Sequence, residues 1–188
     1  VHELKGVGKN LQDHLFYPIS TQTKTQEGIN HYISPLKQIG AAFNYYVNKK
    51  GVFCNGPLEG MAFLNLDQND ERVNFQLHFS PICIKNEYGY DAYDIYDYPK
   101  EDGFTILPTL LHPKSRGTVS LSSSDPNANP KIQPNFLQEK DDLDQLVKGG
   151  KLVYKLMNDK SLSKHIKSHG LPHDRSSHDS LITHIKKT

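Results

Sequence analysis

Ten histidines stand among 188 residues, and five of them (His165, His169, His173, His178 and His184) crowd the C-terminal end. On a helix, the i, i+4 spacing of His165 and His169 would place two imidazoles on one face, as zinc hydrolases do. Ile166, Lys167 and Ser168 supply no glutamate base between them, and Gly170 and Pro172 take His173 off that face. The group therefore reads as solvent-facing histidines, and no metal ligand is assigned. Asp13 and His14 are neighbours, but adjacent helical residues point about 100° apart and form no acid–base dyad. Asp13 reads as a capping residue, and His14 as a packed polar residue or a contact across an interface. Ser115 and Ser122 to Ser124 lie in no G-x-S-x-G turn, so a serine hydrolase finds no support. The run Gly6-Val7-Gly8-Lys9-Asn10-Leu11 lacks the third glycine, the preceding strand and the following βαβ unit of a dinucleotide site. His78 is the one histidine that a rigid strand should place. It could line a pocket there or meet only water.

Elements that would hold these residues follow from hydrophobic period and end signals. Asn10 reads as the N-cap of a short helix carrying Leu11, Leu15 and Phe16 and stopped by Pro18. Ser34 and Pro35 open a longer helix with Leu36, Ile39, Phe43, Tyr46 and Val47 on one face, and Gly51 marks its end. Residues 60–66 read as a strand, and residues 72–84 as a better one. In the second, Val73, Phe75, Leu77 and Phe79 alternate with Asn74, Gln76, His78 and Ser80, a period of two with one face buried. Residues 85–103, rich in tyrosine and aspartate (Tyr88, Tyr90, Tyr93, Tyr96, Tyr98), form a long loop that either covers a substrate entrance or is a solvated excursion. Further strands follow over 104–111 and 118–121, then a Pro/Asn turn over 125–130. Asp141 caps a helix bearing Leu143, Leu146, Val147, Val153, Tyr154 and Met157, with Asp144 completing a short-armed capping box. Gly149 and Gly150 interrupt it, at about 1 kcal/mol each against alanine if exposed, unless they let the helix approach a sheet closely. Strands in the middle with helices at either end imply an α+β domain, a mainly antiparallel sheet flanked by helices.

Composition bounds the rest. The chain is 36% hydrophobic and 23% charged, and 22 basic against 21 acidic residues leave a net charge of +1. No electrostatic argument for nucleic acid or an anionic membrane as partner survives that balance. No apolar run of about 18 residues is present, so no transmembrane segment is expected. Cys54 and Cys83 have no metal-site spacing and read as buried free thiols, which leaves the compartment open. Val1 begins nothing like a signal peptide, and residues 177–188 read as a helix just begun, so the chain is expected to be an internal piece of a longer polypeptide.

Three runs in order, GVGKNLQDHL at 6–15, HPKSRGTVSLS at 112–122 and DPNANPKIQPNF at 125–136, resemble the glucose–methanol–choline (GMC) flavin oxidoreductases, with a weaker match at GPLEGMAFL, 56–64. The animal members, glucose- and choline-dehydrogenase-like, look nearest. The resemblance implies a single substrate-binding domain over 1–188. Residues 1–33 would connect toward an FAD domain, 34–157 would form the helix-and-sheet core, and 158–188 a polar histidine-rich tail. It implies an enzyme that oxidises an alcohol to a carbonyl, with hydride passing to the N5 of an FAD held in a Rossmann-type domain that is missing here. The partners would be a small-molecule alcohol and the flavin domain of the same parent chain. None of the ten histidines sits in the family's H-P-x-G-T motif, so no catalytic residue is carried over and the isolated chain is expected to be inactive. Asn10 and His14 fall in the loop that lies toward the flavin in the family and are the cofactor-binding candidates. His78 is the substrate-binding candidate. The alternative is a non-catalytic binding protein that retains the substrate-domain fold.

Overall fold

A computed structural model describes residues 2, 4–67, 71–84, 87–89, 91, 94–172 and 174–188. Its strands are β1 (Leu15–Phe16), β2 (Ile19–Thr23), β3 (Gly60–Leu64), β4 (Phe75–Ser80), β5 (Gly103–Leu110), β6 (Thr118–Ser120), β7 (Lys131–Gln133) and β8 (Ile166–His169). The helices are α1 (Pro35–Asn48), α2 (Lys140–Asn158), α3 (Lys160–Ser163) and α4 (His178–Lys187). Six strands make one sheet in the order β3-β4-β5-β2-β8, with β1 also paired to β5; β6 and β7 form a separate ribbon. Every pairing is antiparallel, as the strand-then-helix order of the sequence implies.

The register sorts the sheet into two faces, because residues opposed across an antiparallel pair point the same way. Phe75 opposes Leu110, and Phe79 opposes Ile106, which opposes Ile19 in turn. These side chains meet Leu146, Val147, Val153 and Met157 of α2 and Leu181 and Ile185 of α4 in one core. The glycine pair of α2 makes that contact possible. A Cβ at Gly149 would sit 2.1 Å from the Phe75 ring, and one at Gly150 2.1 Å from the Tyr17 hydroxyl. That hydroxyl donates to the Leu146 carbonyl at 3.0 Å. The opposite face carries Met61, His78 and Leu107 in one row and Phe63, Gln76, Thr109 and Phe16 in the next.

Several local expectations change. Asn10 caps no helix: Leu11 bridges Gly117, and Leu15 and Phe16 run as strand against β5, so cross-strand bonds replace the expected turn. The apolar face of α1 points outward. Leu36 is 81% exposed and Phe43 68%, while Ala41, on the opposite side, is buried. The expected long strand through 72–84 is confined to Phe75–Ser80, and Gln76 and Ser80 on its polar face are buried. The N-cap of α2 is Glu139 rather than Asp141, and Asp144 pairs with Lys140 within the helix. Asp142 turns back to accept from the Lys114 and Ser115 backbone N–H groups at 2.7 and 2.8 Å, tying the helix start to the basic turn. Cys83 is buried as expected, but Cys54 is exposed.

Residues 158–188 enter the sheet and core. β8 completes the sheet edge against β2, and α4 packs on α2. Arg175 is buried there, donating to the carbonyls of Ser20, Pro172 and Gly170 and so joining this segment to β2. Burial lowers its pKa to about 10, which leaves it charged at neutral pH.

Candidate functional site

The loop before β1 is pinned at both ends. Gly8 adopts a φ of 74° and accepts from Val119 N–H at 2.7 Å, and a Cβ there would meet the Val119 carbonyl oxygen at 2.0 Å. Leu11 and Gly117 exchange backbone hydrogen bonds of 3.0 and 2.9 Å. These glycines admit the β6–β7 ribbon, so the loop offers no phosphate cradle of its own. Asn10 and His14 are exposed along it, and the His14 N–H donates to the Asp13 carboxylate at 2.8 Å. Both could touch a cofactor held by other residues; neither could enclose one.

β4 brings His78 into the same neighbourhood. Its imidazole is half-buried, its Nδ1 is buried without a hydrogen-bond partner among the described residues, and burial, followed by the proximity of His14, holds its pKa below the ordinary imidazole value. His112, just after β5, is shifted the same way by burial, by the charge of Arg72 and by the proximity of His14. The three histidines thus form one electrostatic neighbourhood, although 98 residues of sequence separate His14 from His112. Beside them a cleft of about 620 Å³ is lined by Gln12, Glu71, Arg72, Asn74, His112 and Lys114, among others. The side-chain oxygen of Asn74 is buried without a partner in that wall. Sequence reasoning missed His112, Arg72 and Asn74. Their only signal was the basic HPKSR run, and its meeting with β4 depends on register.

A second cleft, about 430 Å³, lies where Tyr96, Asp97 and Tyr98 of the tyrosine-rich loop cross Gln22, Ser168 and His169 at the sheet edge. Residues 96–98 of the loop thus line a cleft on another part of the molecule from His78. Tyr90 and Tyr93 lie outside the described residues. So does His173 in the C-terminal group. There, His165 and His169 do not share a helix: His169 ends β8, and His165 instead meets Glu27 at 3.0 Å. His184 is buried, its Nε2 against the Pro18 carbonyl at 2.7 Å and its Nδ1 against the Tyr88 hydroxyl at 3.1 Å, so it does not face solvent as expected. Among the described residues no three histidine, cysteine or carboxylate side chains come together in a metal-binding group. Ser115 is occupied structurally, its hydroxyl donating to Asp142.

The family model described as GMC oxidoreductase matches residues 113–188. The chain belongs to the GMC oxidoreductase family. It is 31% identical to the alcohol dehydrogenase [acceptor] of Pseudomonas putida over 189 aligned positions, covering 99% of this chain and 33% of that protein. With the chloroplastic fatty acid photodecarboxylase of Chlamydomonas reinhardtii it shares 26% identity over 100% of this chain and 33% of the relative. A solved structure of Aspergillus oryzae formate oxidase, described for modification of its FAD, superposes with a TM-score of 0.79 at 22% identity, covering 97% of this chain and 36% of that one. That likeness establishes the fold. This GMC chain spans about a third of the length of the curated relatives it matches. The family's enzymes are FAD-dependent, and its FAD domain is not within these residues. Among the described residues no helix is long and apolar enough to cross a membrane.

Proposed function

We propose that this chain forms the substrate-facing wall of an FAD-dependent oxidoreductase acting on CH–OH groups, the flavin being held by another part of the same parent polypeptide. The observation that carries the reading is an exposed apolar patch on the sheet face away from α2 and α4. α2 and α4 pack on one face, while on the other His78 stands among Met61, Phe63 and Phe16, which are 58%, 57% and 55% exposed. An exposed apolar patch with a few polar side chains beside it suits a small alcohol, gripping the carbon skeleton and orienting the hydroxyl. The surface area supports the same reading. The chain exposes 12166 Å², about 3,000 Å² more than the roughly 9,100 Å² expected of a free-standing globular protein of its mass.

Burial lowers the His78 pKa and so favours the neutral ring. A neutral imidazole offers one donor and one acceptor, and with its Nδ1 buried the open edge of this half-buried ring is what would meet a substrate hydroxyl. His14, near His78, and Asn10, exposed earlier on the same loop, are the residues of this chain that would approach the flavin. When bound, FAD supplies the hydride acceptor, at its N5. His78 binds and orients; proton abstraction is assigned to no residue of this chain.

The test is made in the intact flavoprotein. His78→Ala should lower kcat/KM for an alcohol about ten- to hundred-fold, the worth of one substrate hydrogen bond in a desolvated site, with flavin content unchanged. His78→Gln should recover part of the loss. An unaltered kcat/KM in His78→Ala would remove this face from the substrate site, and absence of any CH–OH oxidation would favour a non-catalytic binding protein. Expressed alone, the 188-residue chain should pass gel filtration without flavin and oxidise no alcohol. Stoichiometric FAD retained on it would overturn the placement of the cofactor.

A further inference from the structure

α1 is turned inside out relative to an ordinary surface helix. Leu36, Ile39, Phe43, Tyr46 and Val47 are 81%, 67%, 68%, 73% and 60% exposed. At 100° per residue they occupy about 100° of the helix circumference. The opposite side holds the helix to the protein: Ala41 is buried, Gln38 donates to the Ile33 carbonyl at 2.9 Å, and Asn44 donates to the Lys50 carbonyl at 3.1 Å. An apolar stripe of this kind facing water marks a surface that something else covers.

Charge indicates what covers it. The whole-chain balance of +1 conceals a local excess, since no Asp or Glu occurs from Gly28 to Leu58, whereas Lys37, Lys49 and Lys50 are all exposed. Lys49, in the left-handed conformation that ends the helix, lies over the rings of Tyr45 and Tyr46 at 5.3 and 5.7 Å. The nearest acids along the chain are engaged, Glu27 with Thr25 and Glu59 with Asn55. An aliphatic and aromatic stripe on a helix whose own sequence neighbourhood, residues 28–58, holds lysines and no carboxylate has the chemistry of a helix lying in the headgroup region of an anionic bilayer. With 14 residues, α1 is about 21 Å long, too short to span a hydrocarbon core of about 30 Å. It would lie in the plane of the surface.

We infer that α1 is a membrane-surface docking element that seats this protein on anionic lipid. The inference holds that α1 stays open to the outside in the assembled flavoprotein, and its test needs no activity. The intact parent flavoprotein is sedimented with phosphatidylcholine vesicles containing 30% phosphatidylglycerol, and with pure phosphatidylcholine vesicles. Binding is expected to the anionic vesicles, to weaken as salt rises from low to physiological strength, and to be at least ten-fold weaker to the neutral ones. Phe43→Asp and the pair Lys49→Glu/Lys50→Glu should each reduce anionic-vesicle binding about ten-fold or more. Leu121→Ser, which alters an equally exposed leucine away from α1, should leave it unchanged. Wild-type salt and lipid dependence stands on its own if a variant folds poorly. No vesicle binding, equal binding to both vesicle types, or binding indifferent to Phe43→Asp would overturn the proposal. So would a lipid-free dimer that Phe43→Asp converts to monomer, because the stripe would then belong to a second copy.

Discussion

α1 and α2 carry the same kind of amphipathic pattern and meet opposite fates. In α2 the apolar side closes on the sheet, leaving Leu146 and Val153 at 0% exposure and Met157 at 1%. In α1 the apolar side faces out and a small alanine faces in. The difference lies in what each helix presents at its inner surface. α2 has two glycines within its apolar stripe, which let its backbone come down onto Phe75 and Tyr17. Among the described residues α1 rests mainly on the short 3-10 turns Asn30–Ile33 and Val52–Cys54, through polar and small residues. Periodicity announces that a helix has an apolar side. It does not say whether that side meets the chain's own core or another surface.

The sharpest way to break the contrast is at the α2 glycines. Gly149→Val should cost about 3 kcal/mol or abolish folding, since overpacking against a ring that cannot retreat lies at the costly end of its range; urea unfolding monitored by circular dichroism reads it. A near-neutral result would mean that α2 sits farther from β4 than described. Next comes Asp142→Asn, which weakens charge-assisted bonds from Lys114 and Ser115 at the helix start and should cost about 2 kcal/mol. Retention of full stability would show that the turn holds α2 without the charge.

A smaller effect follows from His184 against the core. Its pKa is lowered, chiefly by burial, so below the unfolded value of about 6.5 the unfolded chain takes up a proton that the folded chain resists. Stability is therefore complete above about pH 6.5 and falls as pH drops below it, by at most about 1.4 kcal/mol per pH unit for one proton. His78, His112 and His169 are shifted in the same direction, so His184→Asn should flatten only part of the slope between pH 5 and 7. An unchanged slope would return the effect to the other histidines. The smallest effect should be on α1, where Phe43→Asp ought to alter unfolding free energy by less than about 0.5 kcal/mol. A loss of 2 kcal/mol or more there would mean that the stripe is packed in solution after all.

Much of the fold was legible in the chain. The helix opened by Pro35 and the strands around Phe75 and Phe104 follow from local chemistry, whereas Gly149 and Gly150 left open whether α2 would break or approach the sheet closely. The first predicted helix failed because Leu11 and Leu15 found cross-strand partners in Gly117 and Leu110, which no local signal encodes. The candidate site was only partly legible. His78 stood out by strand alternation, but its association with His14, His112 and Arg72 rests on contacts between distant segments. The C-terminal group looked like a solvated tail because its polarity is high. Arg175 and His184 are nevertheless buried, since backbone carbonyls of Ser20, Gly170, Pro172 and Pro18 satisfy them.

By itself the amino-acid order determined the α+β class, the antiparallel arrangement and the family, because turn chemistry, period and motif order are local and survive without neighbours. Only the tertiary structure decided which face of each element is covered, which histidines share an environment, and that α1 carries its apolar stripe outward. Those outcomes depend on strand register and on backbone approach between segments far apart in sequence, where a single-residue shift would turn every side chain of a strand to the other face.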